Sequence, residues 1–128
     1  MKLILTTIFT LLFATSTFAA DITVEMLNKR NSDNARMVYS EDISRIDVGD
    51  TITWVPTTKG HNVHFLAGPE GWEVPKKSKF NKEVSMKFDT PGIYFYQCTP
   101  HKSMGMIALV VVGGDTSNKD DIAKIKVF

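Results

Sequence analysis

Short segments in which apolar and polar residues alternate recur along most of the chain, and this pattern limits the possible folds more than any other feature. Residues 21–26 and 50–56 alternate with the period of half-buried strands. Residues 83–88 do the same and stop at Asp89, Thr90, Pro91 and Gly92, a set of residues that favours a tight reversal. Shorter strands are expected at 37–39, 44–48 and 62–66, with a last one at 106–112. Residues 93–97 are apolar and aromatic on both faces, as a central strand covered on both sides requires. Seven or eight short strands, with helix signals only after Thr116, predict an all-β chain folded as an antiparallel Greek-key sandwich. One short helix fits the tail. Ser117 or Asn118 would be its N-cap, Asp120 and Asp121 lie in its first turn, and Lys124 and Lys126 follow, the charge order that the helix dipole favours.

At 128 residues the chain has room for one domain with a proper core. Its first 20 residues carry Lys2, then an apolar run to Phe13, then small residues ending in Ala19 and Ala20, which is the layout of a secretory signal peptide. The uncharged stretch 3–20 could nearly span a bilayer as an uncleaved anchor, but its threonines and serine weaken a span and its small-residue end suits a peptidase. The expected division is a leader over 1–19 and a mature domain over 20–128, with no membrane attachment once the leader is gone. Without Lys2, 14 basic residues face 14 acidic ones, so nothing invites nucleic acid. Lys76, Lys77, Lys79 and Lys82 nevertheless crowd one stretch with no acid between them.

Cys98 is the only cysteine, so no internal disulfide can form. A lone thiol in an oxidising compartment is either buried and inert or occupied, and its neighbours favour occupation. The segment from Cys98 through His101 and Met104 to Met106 packs a thiol, an imidazole and two thioethers between two expected strands. Gly60-His61-Asn62 can bring a second imidazole from another loop. Two histidines and a thiolate with a weak axial thioether form the donor set of a blue-copper electron-transfer site. Thiolate and thioether favour Cu(I) while imidazole suits either oxidation state, so a site between the two geometries moves little when an electron arrives. Structural zinc usually takes four cysteine and histidine ligands, and three are too few; a zinc site with three protein ligands and water is the remaining zinc reading. Spacing leaves Met104 and Met106 equivalent, and Met106 can also be read as an ordinary core residue.

Over nearly all of the expected mature domain the sequence resembles the pseudoazurins, bacterial members of the cupredoxins. Met26-Leu27-Asn28-Lys29, Gly49-Asp50-Thr51, Lys59-Gly60-His61-Asn62-Val63, Pro91-Gly92-Ile93-Tyr94 and Cys98-Thr99-Pro100-His101 through Met104-Gly105-Met106 carry the resemblance. It implies a cupredoxin (plastocyanin-like) sandwich holding one copper ion, with His61, Cys98 and His101 as trigonal ligands, Met106 as the long axial ligand and Met104 in the surface around an exposed His101. Asn62 and Thr99, each beside a ligand, are placed to hydrogen-bond across the two ligand loops. Strand alternation puts His64 on the opposite side from His61, Val63 and Phe65, so it reads as a non-ligand, at a position where the family often has an acid. The relatives often end in two helices, whereas this tail has room for one.

What the resemblance implies for function is a periplasmic monomer that shuttles single electrons and is not itself an enzyme. Its partners would be other periplasmic redox proteins, a copper reductase or a c-type cytochrome, docking near His101 through an apolar patch of Pro100, Met104 and Met37. Lys29, Lys59, Lys77, Lys79 and Lys102 would form a basic rim around that patch. Copper storage or delivery is the alternative, but the methionines cluster only at Met104 and Met106. An oxidase or reductase with a second copper centre needs more imidazoles than three histidines provide.

Overall fold

The computed structural model describes residue 14 and residues 17–127, so most of the expected leader over 1–19 lies outside the described residues. Eight strands form: β1 (Asp21–Lys29), β2 (Arg36–Tyr39), β3 (Ile43–Ile46), β4 (Thr51–Val55), β5 (His64–Ala67), β6 (Val84–Lys87), β7 (Gly92–Gln97) and β8 (Ile107–Val112). A 3-10 turn covers Thr99–Met104, and one helix, α1, covers Lys119–Ala123. The strands order as β2-β1-β4-β6 in one sheet and β3-β8-β7-β5 in the other. Alternate residues of both sheets meet in one core: Val24, Met26, Ile52 and Trp54 from the first, Tyr94, Tyr96, Val110 and Val112 from the second.

The sandwich is the one expected, but its sheets are mixed. β1 pairs with β4 in parallel, and β3 with β8 in parallel, while the remaining pairs are antiparallel. Side-chain alternation has the same period in either direction, so the sequence pattern is blind to this difference. After the β1–β2 hairpin the chain crosses to the second sheet at β3, then returns to lie beside β1 as β4. The expected strand at 62–66 also begins later, at His64, because Asn62 and Val63 are drawn into the connection from β4.

Every residue of β7 is buried. Tyr94 and Tyr96 enter the core, and α1 packs against the strand. Asn118 precedes the helix as expected, yet its side chain does not cap it: Nδ2 donates to the Ile93 carbonyl at 2.8 Å and Oδ1 accepts from the Ile93 N–H at 2.9 Å. Trp54 sits at the core's centre, edge-to-face with Phe65 at 5.7 Å and Tyr96 at 5.4 Å. Fully burying a side chain such as Phe88 contributes about 3 kcal/mol, so this aromatic group is a main source of the rigidity that the loops above it inherit. Those loops, β4–β5 and β7–β8, carry the chemistry-bearing residues.

Candidate metal centre

Cys98 is the residue that follows β7, and Met106 the one that precedes β8. The loop between them is closed by its own backbone. Cys98 N–H donates to the Met106 carbonyl at 2.9 Å, His101 N–H to the Cys98 carbonyl at 3.2 Å, and Met106 N–H to the His101 carbonyl at 3.1 Å. Pro100 fits the first turn, where no N–H is needed. Gly105 ends it in the left-handed region (φ 84°), its N–H donating to the Lys102 carbonyl at 3.0 Å. The second loop presents His61 directly after Gly60, whose φ of +98° only glycine adopts without strain.

The two loops bring three donors to one point. Cys98 Sγ lies 3.5 Å from His101 Nδ1 and 3.7 Å from His61 Nδ1, and the three donor atoms all fall within 4.8 Å of one another. Nitrogen and sulfur ligands at ordinary bond lengths of about 2.0 and 2.3 Å, set at a trigonal angle, would stand about 3.7 Å apart. The observed separations therefore suit a single ion between them. His61, Cys98 and Met106 are fully buried, whereas His101 is half-buried and Met104 is 59% exposed.

The protonation states suit the same role. His61 Nε2 donates to Asn28 Oδ1 at 2.8 Å, which fixes the proton on that nitrogen and leaves the Nδ1 lone pair facing the sulfur. Burial, and then the neighbouring His101, pushes the His61 imidazole below its usual range and keeps it neutral. Burial pushes the Cys98 thiol up, opposed by the backbone N–H groups of Asn62 and His101. Metal loading must displace that thiol proton, so uptake weakens in acid.

Asn62 ties the loops together as expected from its position. Its Oδ1 accepts from the Thr99 N–H at 2.8 Å and its Nδ2 donates to Thr99 Oγ1 at 3.0 Å. Its carbonyl accepts from the buried Tyr39 hydroxyl at 2.7 Å, a contact that anchors the ligand loop to β2. Tyr39 and Asn28 act from strands remote in sequence, and although Asn28 lies in a segment that carries the resemblance, spacing assigns a role to neither. His64 stays outside the donor cluster; its Nδ1 faces Gln97 Nε2 at 3.3 Å and Thr99 Oγ1 at 3.4 Å.

A family profile described as copper-binding proteins of the plastocyanin/azurin family matches residues 24–113. The chain belongs to that family. Among its relatives, the pseudoazurin of Paracoccus pantotrophus is 44% identical over 105 residues, covering 80% of this chain and 70% of that protein. The pseudoazurin of Methylorubrum extorquens is 40% identical over 102 residues, covering 78% and 67%. The solved pseudoazurin of Sinorhizobium meliloti superposes with a TM-score of 0.78 at 41% identity, covering 84% of each chain. This plastocyanin/azurin family member is a pseudoazurin-like cupredoxin, and with its histidine–cysteine–histidine cluster it is a blue copper electron-transfer protein of one type 1 copper.

Proposed function

We propose that His61, Cys98 and His101 are the trigonal copper ligands, that Met106 is the long axial ligand, and that electrons cross at His101. Bound copper supplies the one-electron Cu(II)/Cu(I) couple; the chain supplies the rest. The observation that carries the assignment is the spacing of the three nitrogen and sulfur donors, 3.5 and 3.7 Å from Sγ. Met106 is favoured over Met104 because it is fully buried and its backbone bonds to both Cys98 and His101, while Met104 points to solvent. His101 is the one ligand in the set that solvent reaches, which makes its edge the shortest way out.

Copper titration of the purified protein tests this. One equivalent of Cu(II) should saturate an intense visible band, and repeated reduction and reoxidation beside a chelator should retain the metal. A storage or delivery protein would lose copper on each cycle, and a buried inert cysteine would leave the protein colourless. With only three histidines in the chain, two of them in the cluster, a second copper centre for enzymatic turnover has only the single imidazole of His64 to build on.

The working form is a periplasmic monomer covering residues 20–128, exchanging electrons with a copper reductase or a c-type cytochrome at the surface around His101. Pro100, Lys102 and Met104 are exposed there, and a Cβ on Gly60, the residue after the exposed Lys59, would lie 4.0 Å from His101 Cε1. Burial, and then the charges of Lys77 and Lys102, pushes the His64 imidazole below its usual range, and His64 Nδ1 lies 3.4 Å from Thr99 Oγ1 beside Cys98. Such a basic rim steers an acidic partner while leaving the contact brief. Reversing Lys59 and Lys77 to glutamate should lower the association rate at least about ten-fold at low salt and flatten its salt dependence. Stopped-flow rates indifferent to both changes would remove the steering role.

A further inference from the structure

At the start of β4, the end away from His61, Asp50 is only 6% exposed. Both of its carboxylate oxygens accept from backbone N–H groups: Oδ1 from Ala20 at 2.8 Å and Oδ2 from Asp47 at 2.9 Å. Ala20 is gripped a second time, since Thr51 N–H donates to its carbonyl at 2.9 Å. On the other side of Ala20 the chain is different. Thr17, Phe18 and Ala19 make no such bonds among the described residues; like Ala20 they are exposed and outside any strand, Phe18 by 92%, and β1 begins only at Asp21. The boundary between gripped and ungripped chain is the Ala19–Ala20 peptide bond.

The electrostatics at this boundary are incomplete. A nearly buried carboxylate is opposed by two neutral amides, and among the described residues no cation lies within ion-pair distance of it. Lys87 borders the same 370 Å³ surface cavity, but its ammonium lies 3.4 Å from Asp89. We propose that Asp50 is the seat for the α-ammonium created at Ala20 when the leader is removed, so that processing itself supplies the missing charge. This rests on cleavage between Ala19 and Ala20.

Hydrolysis by a leader peptidase adds water across that bond. Ala19 departs as a carboxylate, and the Ala20 nitrogen changes from an amide with one hydrogen to an ammonium with three. The donor already 2.8 Å from Oδ1 thereby becomes charged, and a charge-assisted bond is about twice as strong as a neutral one. Until the cut is made, the fold lacks this pair, which keeps the leader-bearing chain less stable while it is exported. The sign of the pH dependence follows. An α-ammonium that gains a carboxylate partner has its pKa raised above the ordinary range of about 7.7–8.0, so the added stability is full below that range and is lost as pH rises through the raised value.

The test compares Asp50→Asn with its parent in two forms: the exported, processed protein and a full-length chain whose cleavage is blocked by a bulky substitution at Ala19. The folded-to-unfolded ratio should fall about ten-fold more in the processed form than in the blocked one, corresponding to a coupling of one pKa unit. Equal losses in the two forms overturn the ammonium seat. Should Asp50→Asn fail to fold, acylation of the parent's α-amine decides: it should be at least about ten-fold slower in the folded than in the unfolded protein, and equal rates overturn the proposal. Mass analysis of the exported N-terminus is read first. A start other than Ala20 sinks the cleavage reading and the seat with it, whereas a start at Ala20 with equal losses sinks the seat alone.

Discussion

Cys98→Ser protein supplied with one equivalent of Cu(II) is expected to lose the intense visible colour of the parent while keeping the same fold. The colour of such a centre comes from the soft, polarisable thiolate, and the chain has no second cysteine to take its place. The backbone role of residue 98 survives the change, because its N–H still reaches the Met106 carbonyl and its carbonyl still accepts from His101. Serine keeps the shape apart from the smaller atom, so the cost in stability is about 1 kcal/mol, small against the 5–15 kcal/mol of an ordinary domain. Visible absorption together with circular dichroism checks both halves. An intensely blue serine variant would place the copper elsewhere and end the assignment of Cys98.

Much of the sandwich can be read from the chain because each strand faces one core. Val24 and Met26, or Ile52 and Trp54, alternate with exposed or half-exposed neighbours, and that alternation is a direct record of burial. β7 is equally legible, the apolar and aromatic run 93–96 falling in a strand that is buried at all six positions. Direction of pairing leaves no such record, which is why the parallel β1–β4 and β3–β8 pairs come only with the structure. The metal centre divides in the same way. Cys98 and His101 share one short loop and announce themselves by spacing, and His61 is found because imidazoles are few. Asn28 could not be found, since its contact with His61 at 2.8 Å depends on the end of β1 lying beside the β4–β5 loop. Spacing leaves Met104 and Met106 equivalent; the resemblance to the pseudoazurins names Met106, and the fold agrees in leaving Met104 59% exposed and Met106 fully buried.

The second large effect is expected from Asn62→Leu, which keeps the volume and removes the polar tie between the ligand loops. Asn62 is fully buried, and its side chain makes three contacts: with the Thr99 N–H at 2.8 Å, Thr99 Oγ1 at 3.0 Å and the Ser78 carbonyl at 3.3 Å. Leucine answers none of them. The Thr99 N–H is left without its partner next to Cys98, and each unsatisfied buried group costs about 1–3 kcal/mol, so a total of about 3–5 kcal/mol is expected. For a domain of this size that lowers the melting temperature by on the order of 15 °C. Copper binding should weaken as well, by about 10–100-fold, because the loops carrying His61 and Cys98 are no longer held in register. Thr99→Val is the control. It keeps the Thr99 N–H bond to Asn62 and loses only the hydroxyl contact, for about 1 kcal/mol. Denaturant midpoints of the metal-free proteins and copper competition against a chelator separate the two variants. If Asn62→Leu proved no more costly than Thr99→Val in both measurements, the loops would be held by the backbone ring around Cys98 and Met106, and Asn62 would have no part in shaping the metal centre.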